Sequence, residues 1–420
     1  MTEAVAVGMG EDVIPGPTLA EFEAARETVD AVIDVTPMQS SRSLGEVLGS
    51  DVWLKCENLQ RTGSYKIRGA YNRLAHLTDE EKARGVVAAS AGNHAQGVAF
   101  AARELGIRST IFMPIGVALP KLSATKEYGA EVELSGNVVD ETLRAAAQFA
   151  EETGAVFIHP FDHWDVVTGQ GTLGLEILED LPEVDTILVP IGGGGLISGV
   201  ASAVKQKSAQ LGRTVRIIGV QAANAAAYPT SLINGAPTEI QIVPTIADGI
   251  AVSKPGGLNF EIVRDVVDEV VTVEEDDIAR ALLVLLERAK LVVEPAGAVG
   301  VAAILAGKVR NSGATVAILS GGNIDPLVME RIISHGLAAS ERYLKLRIPL
   351  PDRPGQLART AEIVAASNAN VVEVLHTRHG TGMQISEVEL ELHIETRGPE
   401  HAELVLHNLR EAGYNPRVDF

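Results

Sequence analysis

The chain has 420 residues, 46% of them apolar, and 55 acidic against 35 basic side chains give it a formal net charge of -20. That length exceeds what one hydrophobic core usually serves, so two or more domains are expected, and the acidic balance argues against a face built for nucleic-acid phosphates or an anionic membrane. A single cysteine, Cys56, excludes an internal disulfide framework, and no Cys and His cluster has zinc-ligand spacing, so no metal site is expected.

Residues 1 to 17, MTEAVAVGMGEDVIPGP, read as a flexible leader without the basic and apolar regions of a signal peptide. No run of about 20 apolar residues follows anywhere, which points to a cytoplasmic protein. A folded domain begins near residue 18, where TLAEFEAARETVDAVI spaces its apolar residues as an amphipathic helix does. From there VWLKCE, GVVAAS, STIFMP, TILVPI, VRIIGV and TVAILS read as short, continuously apolar strands separated by helical segments. Strands of that kind are buried on both faces, as in the parallel sheet of an α/β fold. Cys56 reads as a buried strand residue. Glycine-rich turns follow several of these strands, at the sheet edge where ligands bind in such folds.

Four of those turns can carry chemistry. TGSYKIRGA, residues 62 to 70, places Lys66 just inside a helix start, where the helix dipole already supplies positive charge. A lysine held there and partly desolvated has its charged form disfavoured, which makes a neutral, nucleophilic amine available; the other reading is a solvated surface lysine. SAGNHAQGVA puts Ser90, Gly92, Asn93 and His94 between a strand and a helix. Open amides there suit a carboxylate, although an ordinary cap and a satisfied surface histidine fit the same letters. VPIGGGGLISG sets four glycines, 192 to 195, before a helix, so backbone amides can close around a phosphate. The pattern lacks the Gly-Lys-Ser/Thr of a Walker loop and the spacing of GxGxxG, and a plain strand-to-helix turn is its alternative. AILSGGN leaves Ser320 at the exit of an apolar strand. An aldehyde cofactor bearing a phosphate unites the amine, the cradle and the serine, and pyridoxal 5'-phosphate is that cofactor.

The texture changes after RIISHGLAASERY. Residues 343 to 420 read as strand, helix, strand, strand, helix, strand, with EVELELHIE alternating as an antiparallel strand with one wet face. That βαββαβ order is a ferredoxin-like module. The expected domains are therefore 18–340 and 341–420.

ENLQRTGSYKIRGAYN, SAGNHAQGVA, GQGTLGLEI, PIGGGGLISG, IADGI, EPAGAVG and SGGNID, in that order between about Thr36 and Asp325, resemble the threonine and serine dehydratases of the tryptophan-synthase-β-like, fold type II pyridoxal-phosphate family. The resemblance implies that Lys66 holds the cofactor covalently, that Asn93 contacts its phenolic oxygen, that Gly192, Gly193, Gly194, Gly195 and Leu196 hold its phosphate, and that Ser320 faces its ring nitrogen. Ser64 and the loop Ser90, Ala91, Gly92, Asn93 and His94 are then implied to receive the substrate carboxylate. The C-terminal module resembles ACT domains, whose DRPGQL-type turn, Asp352 to Leu357 here, lies at an amino-acid effector site. It implies a homo-oligomer, dimer or tetramer, and a branched-chain amino acid as effector.

The implied activity is dehydration and deamination of L-threonine to 2-oxobutanoate and ammonia, with L-serine as a second substrate. Lys66, freed when the substrate amine takes its place, is positioned to remove the Cα proton. A serine racemase of the same family is the alternative. It needs a second acid/base on the opposite face, and racemases resemble SSGNH where this chain has Ser90, Ala91 and Gly92. Their metal site follows GVE, and the chain here reads GVQAANAAA, with Gln221, Ala225 and Ala227. A non-catalytic amino-acid sensor is the third reading, and retention of Lys66 with the whole cradle speaks against it.

Overall fold

The computed structural model describes residues 5–6, 16–137, 139–310, 313–339, 341–378 and 387–419. They fall into two compact units, Met1–Asp325 and Pro326–Phe420. Of the expected leader, residues 1–4 and 7–15 lie outside the described set.

The strands of the first unit are β1 (Val5–Ala6), β2 (Met38–Ser40), β3 (Val52–Lys55), β4 (Val86–Ala89), β5 (Ser109–Met113), β6 (Glu131–Leu134), β7 (Val156–Phe157), β8 (Thr186–Pro190), β9 (Arg216–Ala222), β10 (Glu269–Val273) and β11 (Thr315–Ile318). They form two sheets. The larger runs β1-β10-β9-β8-β11-β3-β2, parallel from β10 to β3 with antiparallel β1 and β2 at its edges. The smaller runs β6-β5-β4-β7 and is parallel throughout. Every residue of β4, β5, β8 and β11 is buried, which is why these strands read as unbroken apolar runs. Cys56 is fully buried but sits one residue past β3, at the start of a short helical turn.

One helix ties the two sheets to the chemistry. Lys66–Ala75 packs against the helices Asn93–Glu104 and Trp164–Asp180, and the approach to the second is close because Gly169 has no side chain. A methyl there would lie 2.5 Å from the Arg68 carbonyl oxygen, well inside contact distance. Beneath the same helix lies a buried charge cluster. The Arg68 guanidinium donates to both carboxylate oxygens of Glu57, at 2.8 and 2.9 Å, and to both of Glu176, at 2.6 and 3.0 Å. Lys55 Nζ adds contacts to Asp180 at 2.8 Å and Glu176 at 3.0 Å. Burial alone would raise the Glu176 carboxyl, but the Arg68 and Lys55 cations overcome it and hold the group below the usual carboxylate range.

In the second unit β12 (Tyr343–Pro351), β13 (Asn370–Thr377), β14 (Glu387–Glu395) and β15 (Arg417–Asp419) form an antiparallel sheet in the order β13-β14-β12-β15. Helices Gln356–Ala366 and Pro399–Glu411 follow β12 and β14, which completes the βαββαβ order. Leu344, Leu346, Ile348 and Leu350 face Val388, Leu390, Leu392 and Ile394 in a core of the unit's own, the period-two burial expected of strands with one wet face. The helix Pro326–Ala339, which the sequence places at the end of the catalytic domain, is grouped with this unit and touches β12. No helix among the described residues is long and apolar enough to cross a membrane.

Candidate active site

The C-terminal ends of β4, β8 and β11 and the start of the Lys66 helix meet around a cavity of about 520 Å³ in the first unit. Its wall includes Lys66, Ser90, Ala91, Gly92, Asn93, His94, Leu196 and Ser320. Ser64 and Gly192 to Gly195 stand next to that wall, adjoining Tyr65 and Leu196 in sequence.

Lys66 is the first residue of its helix, and its Nζ donates to the Pro160 carbonyl at 3.1 Å. Enclosure by protein brings the amine down to about 8, although the Glu294 carboxylate pulls in the other direction. Just before it, Ser64 is buried with a hydroxyl that has no hydrogen-bond partner, and such a group is costly to leave unsatisfied. The segment is held to β11's exit by an antiparallel bridge between Ser64 and Gly321 and by the Tyr65 amide donating to the Ser320 carbonyl at 3.1 Å.

The loop after β4 is shaped by Ser90, whose Oγ accepts from the Gly92 amide at 3.1 Å. Asn93 opens the next helix, whose first-turn amides have no acceptor within the helix. His94 is buried, and its ring Nε2 lies 2.9 Å from the Ile158 carbonyl. A carbonyl only accepts, so Nε2–H is the donor; burial and the nearby Lys66 charge push the ring down to about 3, which leaves it neutral despite the bond to Ile158. The ring is thus committed to Ile158, and what His94 offers a carboxylate is its place among the loop amides.

The glycine turn is braced from behind. Gly193 O accepts from the Tyr228 hydroxyl at 3.2 Å and from the Gly256 amide at 3.1 Å, while a methyl on Gly193 would overlap the Phe161 ring and one on Gly194 the Tyr228 hydroxyl. Gly194 also has φ +107, a left-handed conformation that glycine alone adopts without strain. With carbonyls tied back, the amides at the start of the helix Gly195–Gln210 are left for an anion. A backbone-lined turn with amides open to an anion and an enclosed amine on the same cavity wall fit a phosphorylated aldehyde such as pyridoxal phosphate, and the orphaned Ser64 hydroxyl beside them is left for a further ligand.

Three wall residues escaped the sequence reading. Glu294 is buried and accepts from Asn93 Nδ2 at 2.6 Å; burial first, then Asp248, raise its carboxyl to about 7. Its signal was a lone acid inside the apolar run LVVEPAGAVGVAA. Lys121 and Asp248 both line the cavity and pair at 3.0 Å; Asp248 lies in the motif IADGI, which assigned it no role, and nothing in the local sequence of Lys121 marks it.

The profile of the family described as "Pyridoxal-phosphate dependent enzyme" matches residues 29–321. An L-threonine ammonia-lyase of Thermotoga maritima is 49% identical over 402 residues, 96% of this chain and 99% of that one. Among solved structures, a threonine deaminase from T.th. is similar with a TM-score of 0.68 and 39% identity, covering 74% of this chain and 99% of that one. Maize serine racemase is similar with a TM-score of 0.70 and 36% identity, over 78% and 99% of the two chains.

Proposed function

The chain belongs to the family of pyridoxal-phosphate-dependent enzymes, and on that premise we propose that it is a lyase converting L-threonine to 2-oxobutanoate and ammonia, with L-serine to pyruvate as a second reaction. The observation that carries the reading is Lys66 itself: an enclosed amine brought down to about 8, on the wall of a cavity shared with the strand-end serine and the end of the glycine turn. Bound pyridoxal phosphate supplies an aldehyde for amino groups and a ring that spreads the negative charge left on Cα. In this reading Lys66 holds the cofactor and then removes the Cα proton, because an amine brought down to about 8 keeps a far larger neutral share near physiological pH than an ordinary lysine. Gly192 to Leu196 receive the phosphate, Asn93 the phenolic oxygen and Ser320 the ring nitrogen. Ser64 and the amides of Ser90 to His94 orient the substrate carboxylate. The cavity wall around them limits water while the β-hydroxyl departs.

The second unit is read as an ACT-type regulatory module that pairs with a second copy and takes a branched-chain amino acid beside Gly355, a left-handed glycine at the start of the helix Gln356–Ala366. A serine racemase is the second reading, favoured by the likeness to the maize protein. Ala91 speaks against it, since a methyl cannot carry a proton.

Lys66→Ala tests the assignment. The purified variant is expected to lack the visible absorbance of the covalently held cofactor and to release no ammonia from threonine above background. Ammonia release near the parent rate overturns it.

A further inference from the structure

The amide of Asn93 is gripped from both ends. Its Nδ2 donates to Glu294 Oε1 at 2.6 Å, and its Oδ1 accepts from Asn323 Nδ2 at 2.8 Å. Asn323 Nδ2 also donates to the Thr62 carbonyl at 2.7 Å. Because a main-chain carbonyl only accepts, that bond fixes which end of Asn323 is nitrogen, and therefore which end of Asn93 is oxygen. A carboxylate on the other side, from Glu294, asks for the same orientation. Two glycines make the grip sterically feasible: a methyl on Gly63 would overlap the Asn323 side chain, and one on Gly321 the Glu294 carboxylate. With its oxygen engaged and one N–H on Glu294, Asn93 has its second N–H left for a ligand in the cavity it lines.

We infer that Glu294 and Asn323 are positioning residues that hold Asn93 as a hydrogen-bond donor toward an oxyanion of the bound cofactor. The inference rests on the proposed function, which assigns Asn93 to the phenolic oxygen. An amide turned the other way would set its carbonyl oxygen against that oxygen, and attraction would become repulsion. Neither Glu294 nor Asn323 needs to touch the cofactor for this; they act through one side chain.

The test measures pyridoxal 5'-phosphate affinity by equilibrium dialysis, and the visible spectrum of the loaded protein, for the full chain and its variants. Asn323→Asp offers only acceptors, so Asn93 must turn to satisfy it. Cofactor affinity is expected to fall roughly tenfold, with a shifted absorbance band, as in Asn93→Ala, and the double variant is expected to be within about twofold of Asn93→Ala alone, the signature of two residues acting through one contact. Glu294→Ala is expected to lose affinity to a similar degree, while Glu294→Gln, which keeps a carbonyl acceptor, stays within about threefold of the parent. This pair reads the same grip if Asn323→Asp does not fold. Parent-like affinity and spectrum in Asn323→Asp and Glu294→Ala, or a loss in the double variant equal to the sum of the single losses, overturns the inference while leaving the proposed function intact. Parent-like binding in Asn93→Ala removes the Asn93 contact from the proposed function and the inference with it.

Discussion

At Lys66 two effects oppose each other. Enclosure disfavours the ammonium and Glu294 favours it, and enclosure wins, leaving the amine near 8 against an ordinary value of 10.5. The sign of the consequence is definite: only the neutral amine attacks an aldehyde, and its share grows as pH rises toward that value. The rate at which cofactor-free protein captures pyridoxal phosphate is expected to rise about tenfold per pH unit below 8 and to level off above it. Stopped-flow absorbance checks this, and a rate still climbing at pH 10 would mean that the amine is not perturbed. Ala91 makes the complementary case. It lines the cavity without a proton to give, so Ala91→Ser offers the second acid/base that racemisation requires. Detectable D-serine from L-serine is expected alongside elimination, measured by chiral chromatography, and D-serine at background while elimination survives would mean that the new hydroxyl does not reach Cα.

At the scale of elements, the helix Lys66–Ala75 is held less by its own sequence than by what lies under it. KIRGAYNRLA shows a helical period, but the letters do not say that Arg68 is wholly buried between Glu57 and Glu176. Breaking such a cluster from one side is costly because the partners stay buried and charged. Arg68→Met is therefore expected to destabilise the protein by about 3 to 5 kcal/mol in chemical denaturation, and a loss under about 1 kcal/mol would show that water enters to replace the guanidinium. The glycine turn between β8 and the helix Gly195–Gln210 was legible from four consecutive glycines. What braces it was not: Tyr228 lies 34 residues beyond Gly194 and Phe161 more than 30 before it, and neither sits in a pattern that names its target.

For the whole molecule, two compact units with separate cores imply separable stabilities. The solved chain of the T.th. threonine deaminase covers 74% of this chain and is itself 99% covered, so it has about the length of the first unit. Truncation after Ser340 is expected to leave a cofactor-loaded enzyme active on threonine that no longer responds to isoleucine or valine. In the intact protein either amino acid is expected to shift the threonine KM by about 5- to 150-fold, the usual range of coupling between sites. Calorimetry and steady-state kinetics decide it. An intact enzyme indifferent to both amino acids would leave the second unit an assembly module only.

The α/β class, the six main apolar strands, the βαββαβ order of the C-terminal unit and the turns holding Lys66, Asn93, Gly192 to Gly195 and Ser320 could all be read directly from the letters. Each is a local pattern, set by a period of two or 3.6 residues or by glycines within a few positions of one another. The division of the parallel strands into two sheets could not be read that way, because a strand buried on both faces carries no record of which neighbour it pairs with. Neither could the commitment of the His94 ring to Ile158, the clamp of Glu294 and Asn323 on Asn93, or the Arg68 cluster. Those are contacts between residues 11 to 230 positions apart, and only burial, which strips water from charges and amides until they must find one another, decides which of them meet.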